Sequence, residues 1–269
     1  MNKERNIAGK IYIAVIFVIL YAPIAVMIFF SFNSSNSMSE FSGFSFRWYN
    51  ELFHNKDAGQ ALLNSLILAV SSSVISTVLG TAAALGIHSM RSKRMKKVIM
   101  NVTNLPLMNP DIVTGVSMML LFAFVAGLLH SLHMFGFWTL LIAHVTFNMP
   151  YVILNVMPKL KQMDKSLPEA AMDLGCTPFK AFTKVEFFEI LPGIASGLLM
   201  AFTLSLDDFV ISYFVTGESF QTLPVFIYSM TKKRVVPYIN ALFAIIFVVI
   251  FILLLVRNFM SKENKQAAK

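Results

Sequence analysis

Three acidic residues, Asp111, Asp207 and Asp208, stand in or at the edges of long apolar stretches of this 269-residue chain. A charged side chain at bilayer depth costs about 2.5–3.5 kcal/mol on insertion scales, and such groups usually face a protein interior or a water-filled cavity. No Lys or Arg lies within those stretches to neutralise them. They are left to be protonated, to pair with another subunit, or to meet a cationic substrate that brings the compensating charge.

Helical spacing gives the acids neighbours. Ser205, Asp208, Ser212 and Thr216 follow i, i+3, i+7 and i+11, which predicts one polar stripe, with Thr203 and Asp207 on the adjoining ridge. His144, Asn148, Tyr151 and Asn155 fall at i, i+4, i+7 and i+11 in another stretch. Such stripes either share an aqueous path or join helices, since His and Asn hydrogen-bond across membrane helices. The small residues Ser71, Ser72, Ser73, Ser76, Gly80 and Ala84 predict close helix packing. A path lined by carboxylates without bases attracts cations and repels anions such as sulfate or phosphate. Tyr213, Phe209, Phe214 and Tyr151 add aromatic faces, which suits ammonium groups on apolar stems.

The elements that must hold these residues follow from composition. Hydrophobic residues make up 57% of the chain and charged residues 13%, too few to keep a globular surface wet. The apolar residues fall into six blocks, near 11–31, 61–87, 99–129, 137–158, 193–216 and 238–256, each long enough to cross a hydrocarbon layer about 30 Å thick. The runs Ile11–Leu20 and Ala241–Val256 do not alternate, which excludes a barrel. The expected fold class is an all-α integral membrane protein with six transmembrane helices.

The net charge of +8 reports orientation. Basic residues gather on one side, from Lys3, Arg5 and Lys10 through Arg91–Lys97 and Lys159–Lys184 to Arg257–Lys269. The other side holds only Arg47, Lys56 and the cluster Lys232, Lys233 and Arg234. Both termini are therefore expected in the cytoplasm. The expected divisions are a cytoplasmic N-terminal segment 1–10, a six-span membrane domain 11–256 that includes the connection 159–192, and a cytoplasmic C-terminal tail 257–269. The apolar stretch after the N-terminal bases is too long for a signal peptide and reads as a retained span. The single Cys176 has no metal-ligand neighbours, and neither a metal nor a cofactor is expected.

Residues 159–192 make an expected cytoplasmic connection far longer than two adjacent spans need. Ser166 and Glu169 have the spacing of a capping box, which predicts a short helix over Leu167–Leu174 ended by Gly175. Thr177 then reads as an N-cap with Pro178 at the first helical position of a second helix running to Pro192. The five acids Asp164, Glu169, Asp173, Glu186 and Glu189 favour a protein partner over anionic headgroups.

Glu169-Ala170-Ala171, followed after three residues by Gly175, resembles the Glu-Ala-Ala loop of the membrane subunits of ATP-binding-cassette importers. The resemblance covers nearly the whole chain. It runs through Phe32-Asn33-Ser34-Ser35, Phe46-Arg47-Trp48-Tyr49, Asn109-Pro110-Asp111-Ile112-Val113, His144-Val145-Thr146-Phe147, Ser205-Leu206-Asp207-Asp208-Phe209-Val210 and Ile227-Tyr228-Ser229-Met230, which together look like polyamine-type (spermidine/putrescine) permeases. Where that pattern has Ile-x-Leu-Pro, this chain reads Val185-Glu186-Phe187-Phe188, and Leu191-Pro192 comes four residues later.

The resemblance implies a type I importer permease fold in a bacterial inner membrane. It also implies an ATPase dimer docked on Glu169, Ala170, Ala171, Gly175, Thr177 and Pro178, a second and paralogous permease, and an extracytoplasmic polyamine-binding protein that Trp48, Tyr49 and Glu218 could meet, although an interfacial aromatic belt is the favoured reading of Trp48 and Tyr49. Substrate would pass Asp207, Asp208, Asp111, Ser212, Tyr213, Tyr151 and His144. The lone Gly9-Lys10 pair lacks the rest of a Walker A loop, so ATP would be bound by the partner and this chain would not be an enzyme. No nucleic-acid partner is expected; the bilayer is. Two other readings stand beside this one: a proton-coupled secondary transporter of organic cations, given the acids and His144, and an intramembrane aspartyl protease, which lacks its Gly-x-Gly-Asp arrangement.

Overall fold

In hydrocarbon a chain must satisfy its backbone amides within itself, so apolar runs of this length close into helices. In the computed structural model the described residues are 3–36, 40–130, 135–164, 166–217, 220–233 and 238–248. Among them the regular elements are all helical, with one isolated bridge between Asn33 and Phe44. Five stretches are long and apolar enough to cross a membrane: Gly9–Phe30, Lys56–Ser89, Asp111–Leu128, Phe137–Gln162 and Pro178–Asp207. The sixth expected span, 238–256, is described only over the apolar helix Tyr238–Val248. Its remainder, the tail 257–269 and Glu218 lie outside the described residues.

The helices in order are α1 (Lys3–Phe30), α2 (Arg47–His54), α3 (Lys56–Ser89), α4 (Lys93–Met108), α5 (Asp111–Leu128), α6 (Phe137–Gln162), α7 (Ser166–Asp173), α8 (Pro178–Ala181), α9 (Phe187–Asp207), α10 (Val210–Val215), α11 (Leu223–Lys233) and α12 (Tyr238–Val248). The chain divides into two compact units, residues 1–59 with 227–269, and residues 60–226.

In the first unit α1 exposes its apolar side chains from Ile11 to Tyr21, Ile13, Phe17 and Leu20 among them. Beyond it, Asn33 organises the turn into α2. Its amide nitrogen donates to the Glu40 carbonyl at 2.7 Å, and its amide oxygen accepts from the Ser42 N–H at 2.9 Å. The Trp48 indole donates to the Asn33 carbonyl at 2.6 Å, with the Arg47 guanidinium 4.8 Å from its ring centroid. Trp48 is only 2% exposed, which corrects its expected place at an outer contact surface: its N–H is spent inside the fold. The Tyr49 hydroxyl pairs with Ser31 at 2.7 Å.

The second unit is built on the seam between α6 and α9. Gly193 and Gly197 let α9 approach so closely that a Cβ at Gly193 would stand 2.9 Å from the Asn155 carbonyl, and one at Gly197 3.3 Å from the Val152 Cα. Without a hydrophobic force between lipid-bathed helices, such small-residue contacts supply the packing. Val152, Val156 and Leu160 of α6 lie buried there with Ile190 and Ala201 of α9 and Ala84 and Ile87 of α3. A second cluster joins Phe122 of α5 to Leu140 and Leu141 of α6 and Ile211 and Val215 of α10.

Two expected spans are not single helices. The stretch 99–129 breaks between α4 and α5, with Asn109 at ψ 134 and Pro110 at ψ 134. Pro110 has no N–H and bars its predecessor from helical geometry. The stretch 193–216 breaks after Asp207, where Asp208 is extended at ψ 120. The second loop helix, in contrast, runs without interruption into the membrane stretch. A π-helical turn over Phe182–Glu186 joins α8 to α9, ending two residues before Phe188, which stands where the resembled pattern has its proline.

Candidate functional site

Both breaks carry acids. At the first, Asp111 opens α5 and is exposed, while the Asn109 amide donates to the Thr114 hydroxyl at 3.0 Å across the turn. At the second, Asp207 is the exposed last residue of α9 and Asp208 begins the turn into α10. The segments after the breaks pack on one another. A Cβ on Gly115 of α5 would stand 3.0 Å from the Phe214 ring and 3.3 Å from the Val210 carbonyl of α10.

Asp208 turns inward, away from its neighbour. Its carboxylate accepts from the Ile211 amide at 3.2 Å and the Ser212 amide at 2.7 Å, doing for α10 what a backbone carbonyl would do in an unbroken helix. One of its oxygens stands 3.4 Å from His144 Nε2 on α6. That nitrogen is also 3.2 Å from the Ser212 hydroxyl, and Nδ1 is 2.7 Å from the Ser205 hydroxyl. Ser205 in turn pairs with Ser72 of α3 at 2.8 Å. A carboxylate beside Nε2 assigns the proton to that nitrogen, so Nδ1 accepts from Ser205. The expectation that the acids have no partner in the chain is corrected here for Asp208. The partner is a histidine, a residue type outside the Lys and Arg tally that prompted it.

The predicted stripes divide accordingly. His144, Ser205 and Ser212 are 0%, 3% and 0% exposed, so they bind helices together and do not line a surface. Asn148 is also fully buried, and its side-chain atoms have no hydrogen-bond partner among the described residues. The Asn155 amide donates back to the Tyr151 carbonyl at 2.8 Å. Thr216 lies just past the end of α10, and its hydroxyl donates to the Phe220 carbonyl. Facing outward are Asp111, Asp207 and Tyr213, with Tyr151 half-buried. The Tyr213 ring lies 5.5 Å from Phe209 and 5.4 Å from Phe214, and Tyr151 lies 5.5 Å from Phe147. The outward groups are therefore two carboxylates and the Tyr213 ring. Among the described residues no three acids, histidines or cysteines are grouped so as to hold a metal ion.

The connection between α6 and α9 shows equally local causes. The Asp164 carboxylate accepts from the Ser166 amide at 3.0 Å and caps α7, replacing the expected Ser166–Glu169 box. That hydrogen bond holds the Asp164 carboxyl below its ordinary range. Gly175 sits at φ +86, with Gly175 N–H donating to Met172 and Cys176 N–H to Ala171, the Schellman arrangement. The Thr177 hydroxyl accepts from the Lys180 amide at 3.4 Å, with Pro178 at the first helical position. Glu169, Ala170, Thr177 and Pro178 are exposed, whereas Ala171 packs inward. Leu174 and Phe179, 88% and 74% exposed, project beside them. Sequence reasoning passed over these two because a lone apolar residue in a polar loop carries no periodic signal.

Comparison with known proteins follows this geometry. The family model described as "Binding-protein-dependent transport system inner membrane component" matches residues 76–263. The spermidine/putrescine transport system permease protein PotC of Escherichia coli is 36% identical over 253 residues, covering 94% of this chain and 93% of the relative. The putrescine transport system permease protein PotI of the same organism is 40% identical over 230 residues, covering 86% and 82%. Among solved structures, a chain of a bacterial transporter that imports the acidic polysaccharide alginate superposes with a TM-score of 0.75 at 16% identity, over 97% of this chain and 96% of that one.

Proposed function

Since the chain belongs to the family of inner-membrane components of binding-protein-dependent transport systems, we propose that it carries polyamines, putrescine or spermidine, across the bacterial inner membrane. It is a multi-pass transport subunit and not itself an enzyme. The observation that carries the substrate class is the pair of outward carboxylates at helix breaks. Membrane transporters place ligand sites at discontinuous helices, where freed backbone and buried charge become available. The outward acids Asp207 and Asp111, with Tyr213 and its partner ring Phe209 a few residues beyond Asp207, suit a linear polycation that takes both acid and aromatic contacts. The names of the two bacterial relatives support the same substrates.

The partners follow the same reading. An ATPase docks on the exposed surface of Glu169, Ala170, Thr177 and Pro178, shaped by the turn at Gly175. A second permease, a paralogue of this one, completes the path and covers α1. A binding protein delivers substrate on the outer side, and both chain termini are cytoplasmic. ATP is hydrolysed on the partner, and its closure reaches the membrane helices through α7 and α8.

The deciding experiment is uptake of radiolabelled putrescine, spermidine and spermine by the complete complex in proteoliposomes. ATP-dependent uptake of at least one, surviving collapse of the membrane potential, is the expected result. Uptake that follows the proton gradient and ignores ATP would overturn it.

A further inference from the structure

We infer that His144 is a positioning residue that fixes the break between α9 and α10, so that Asp208 serves the fold and Asp207 faces the transported cation. The inference rests on the transport reading above and assigns different tasks to two adjacent acids.

Three observations carry it. First, the imidazole has no exposed surface and both of its nitrogens are occupied, so it has nothing left to offer a substrate. Second, it ties four helices: α6 by its own backbone, α3 through Ser205 and Ser72, the end of α9 through Ser205, and the start of α10 through Ser212 and Asp208. Third, Asp208 accepts two amides that only a broken helix leaves free, and the imidazole aims the carboxylate at them. The geometry makes the break a defined joint, with Asp207 as its outward edge. Among the described residues Asp208 is the one carboxylate within ion-pair distance of His144. A buried pair of this kind has a recognisable signature: removing one partner strands the other, while removing both is milder.

The test uses the whole complex in proteoliposomes with putrescine and spermidine as probes. For His144→Leu the initial uptake rate at a sub-saturating putrescine concentration should fall about tenfold. His144→Gln keeps a donor and an acceptor and should recover most of that rate. His144→Leu/Asp208→Asn should lose less than the product of the single losses. A loss for His144→Gln as large as that for His144→Leu would overturn the inference, because the donor and acceptor that hold the joint would then not matter; wild-type rates for His144→Leu would also overturn it. Should His144→Leu fail to reach the membrane, His144→Gln against the shorter His144→Asn gives the same comparison.

A second readout does not depend on the substrate. In a Cys176→Ser background, which removes the sole native cysteine, Ile211→Cys places a thiol behind the joint at a position 1% exposed. Its modification by N-ethylmaleimide should be about tenfold faster with His144→Leu and unchanged with His144→Gln. If the wild-type complex carries neither polyamine, the substrate assignment fails, and the thiol rates alone decide. Equal rates with and without the imidazole would then end the positioning role.

Discussion

The Asp208 carboxylate stands 3.4 Å from the His144 imidazole and turns its back on Asp207, the residue beside it in sequence. Adjacent positions in an unbroken helix point about 100° apart, and here the break widens their separation into two environments, one buried and one open. What each acid does is therefore separable by mutation.

Asp207→Asn should raise the half-saturation concentration for putrescine about tenfold while the amount of permease in the membrane stays at the wild-type level. Quantitative blotting beside initial uptake rates checks this. An unchanged half-saturation concentration would remove Asp207 from substrate contact.

The turn at Gly175 is a backbone requirement, since a Cβ there meets nothing within 4 Å but the residue sits at φ +86. Gly175→Val should therefore abolish uptake through a strained turn, at about 1–2 kcal/mol, with the chain still inserted. Gly175→Asn, which tolerates that conformation, should retain most activity. Uptake by the two variants in parallel is the measurement, and equal activity would refute the backbone account.

The seam between α6 and α9 leaves no room at Gly193, where an added Cβ lies 2.9 Å from the Asn155 carbonyl. Gly193→Leu should lower the thermal midpoint of the detergent-solubilised complex, by a loss of about 1–3 kcal/mol for overpacking. Gly59→Leu, at a position open to its surroundings, should leave it unchanged.

Asp164 supplies a pH argument outside the membrane helices. Its carboxyl is held below the ordinary value in the folded chain, first by the Ser166 backbone N–H. The stabilisation is therefore complete above the unfolded value, about 3.9, and is lost as pH falls through the lowered folded value. Protection of α7 against proteolysis should accordingly be flat from about pH 5 to 8. Asp164→Asn should weaken it across that whole window.

The sequence made the helices legible because lipid leaves an apolar chain no other economical arrangement. Gly175, Thr177 and Pro178 were equally legible, since each acts on its own backbone within a few residues. The break at Pro110 had a local cause too, yet hydropathy averages across it, so 99–129 read as one span. The break at Asp208 was hidden more deeply. No proline marks it, and what makes it favourable is a histidine sixty-odd positions earlier, packed against it only once α6 and α9 have met. Trp48 shows the same limit: its type suggested an interface, while its hydrogen bond to the Asn33 carbonyl is a tertiary fact.

The π-helical turn that joins α8 to α9 makes residues Pro178–Asp207 one helical rod of 30 residues, about 45 Å long at the helical rise. The rod lies against α6 and α3 from Ile190 through Gly193, Gly197 and Ala201 to Ser205. Inside it Pro192 supplies no amide to the preceding turn. The exposed loop end and the Asp207 end therefore belong to one continuous helix whose weakest hydrogen-bonding point stands directly beside its seam.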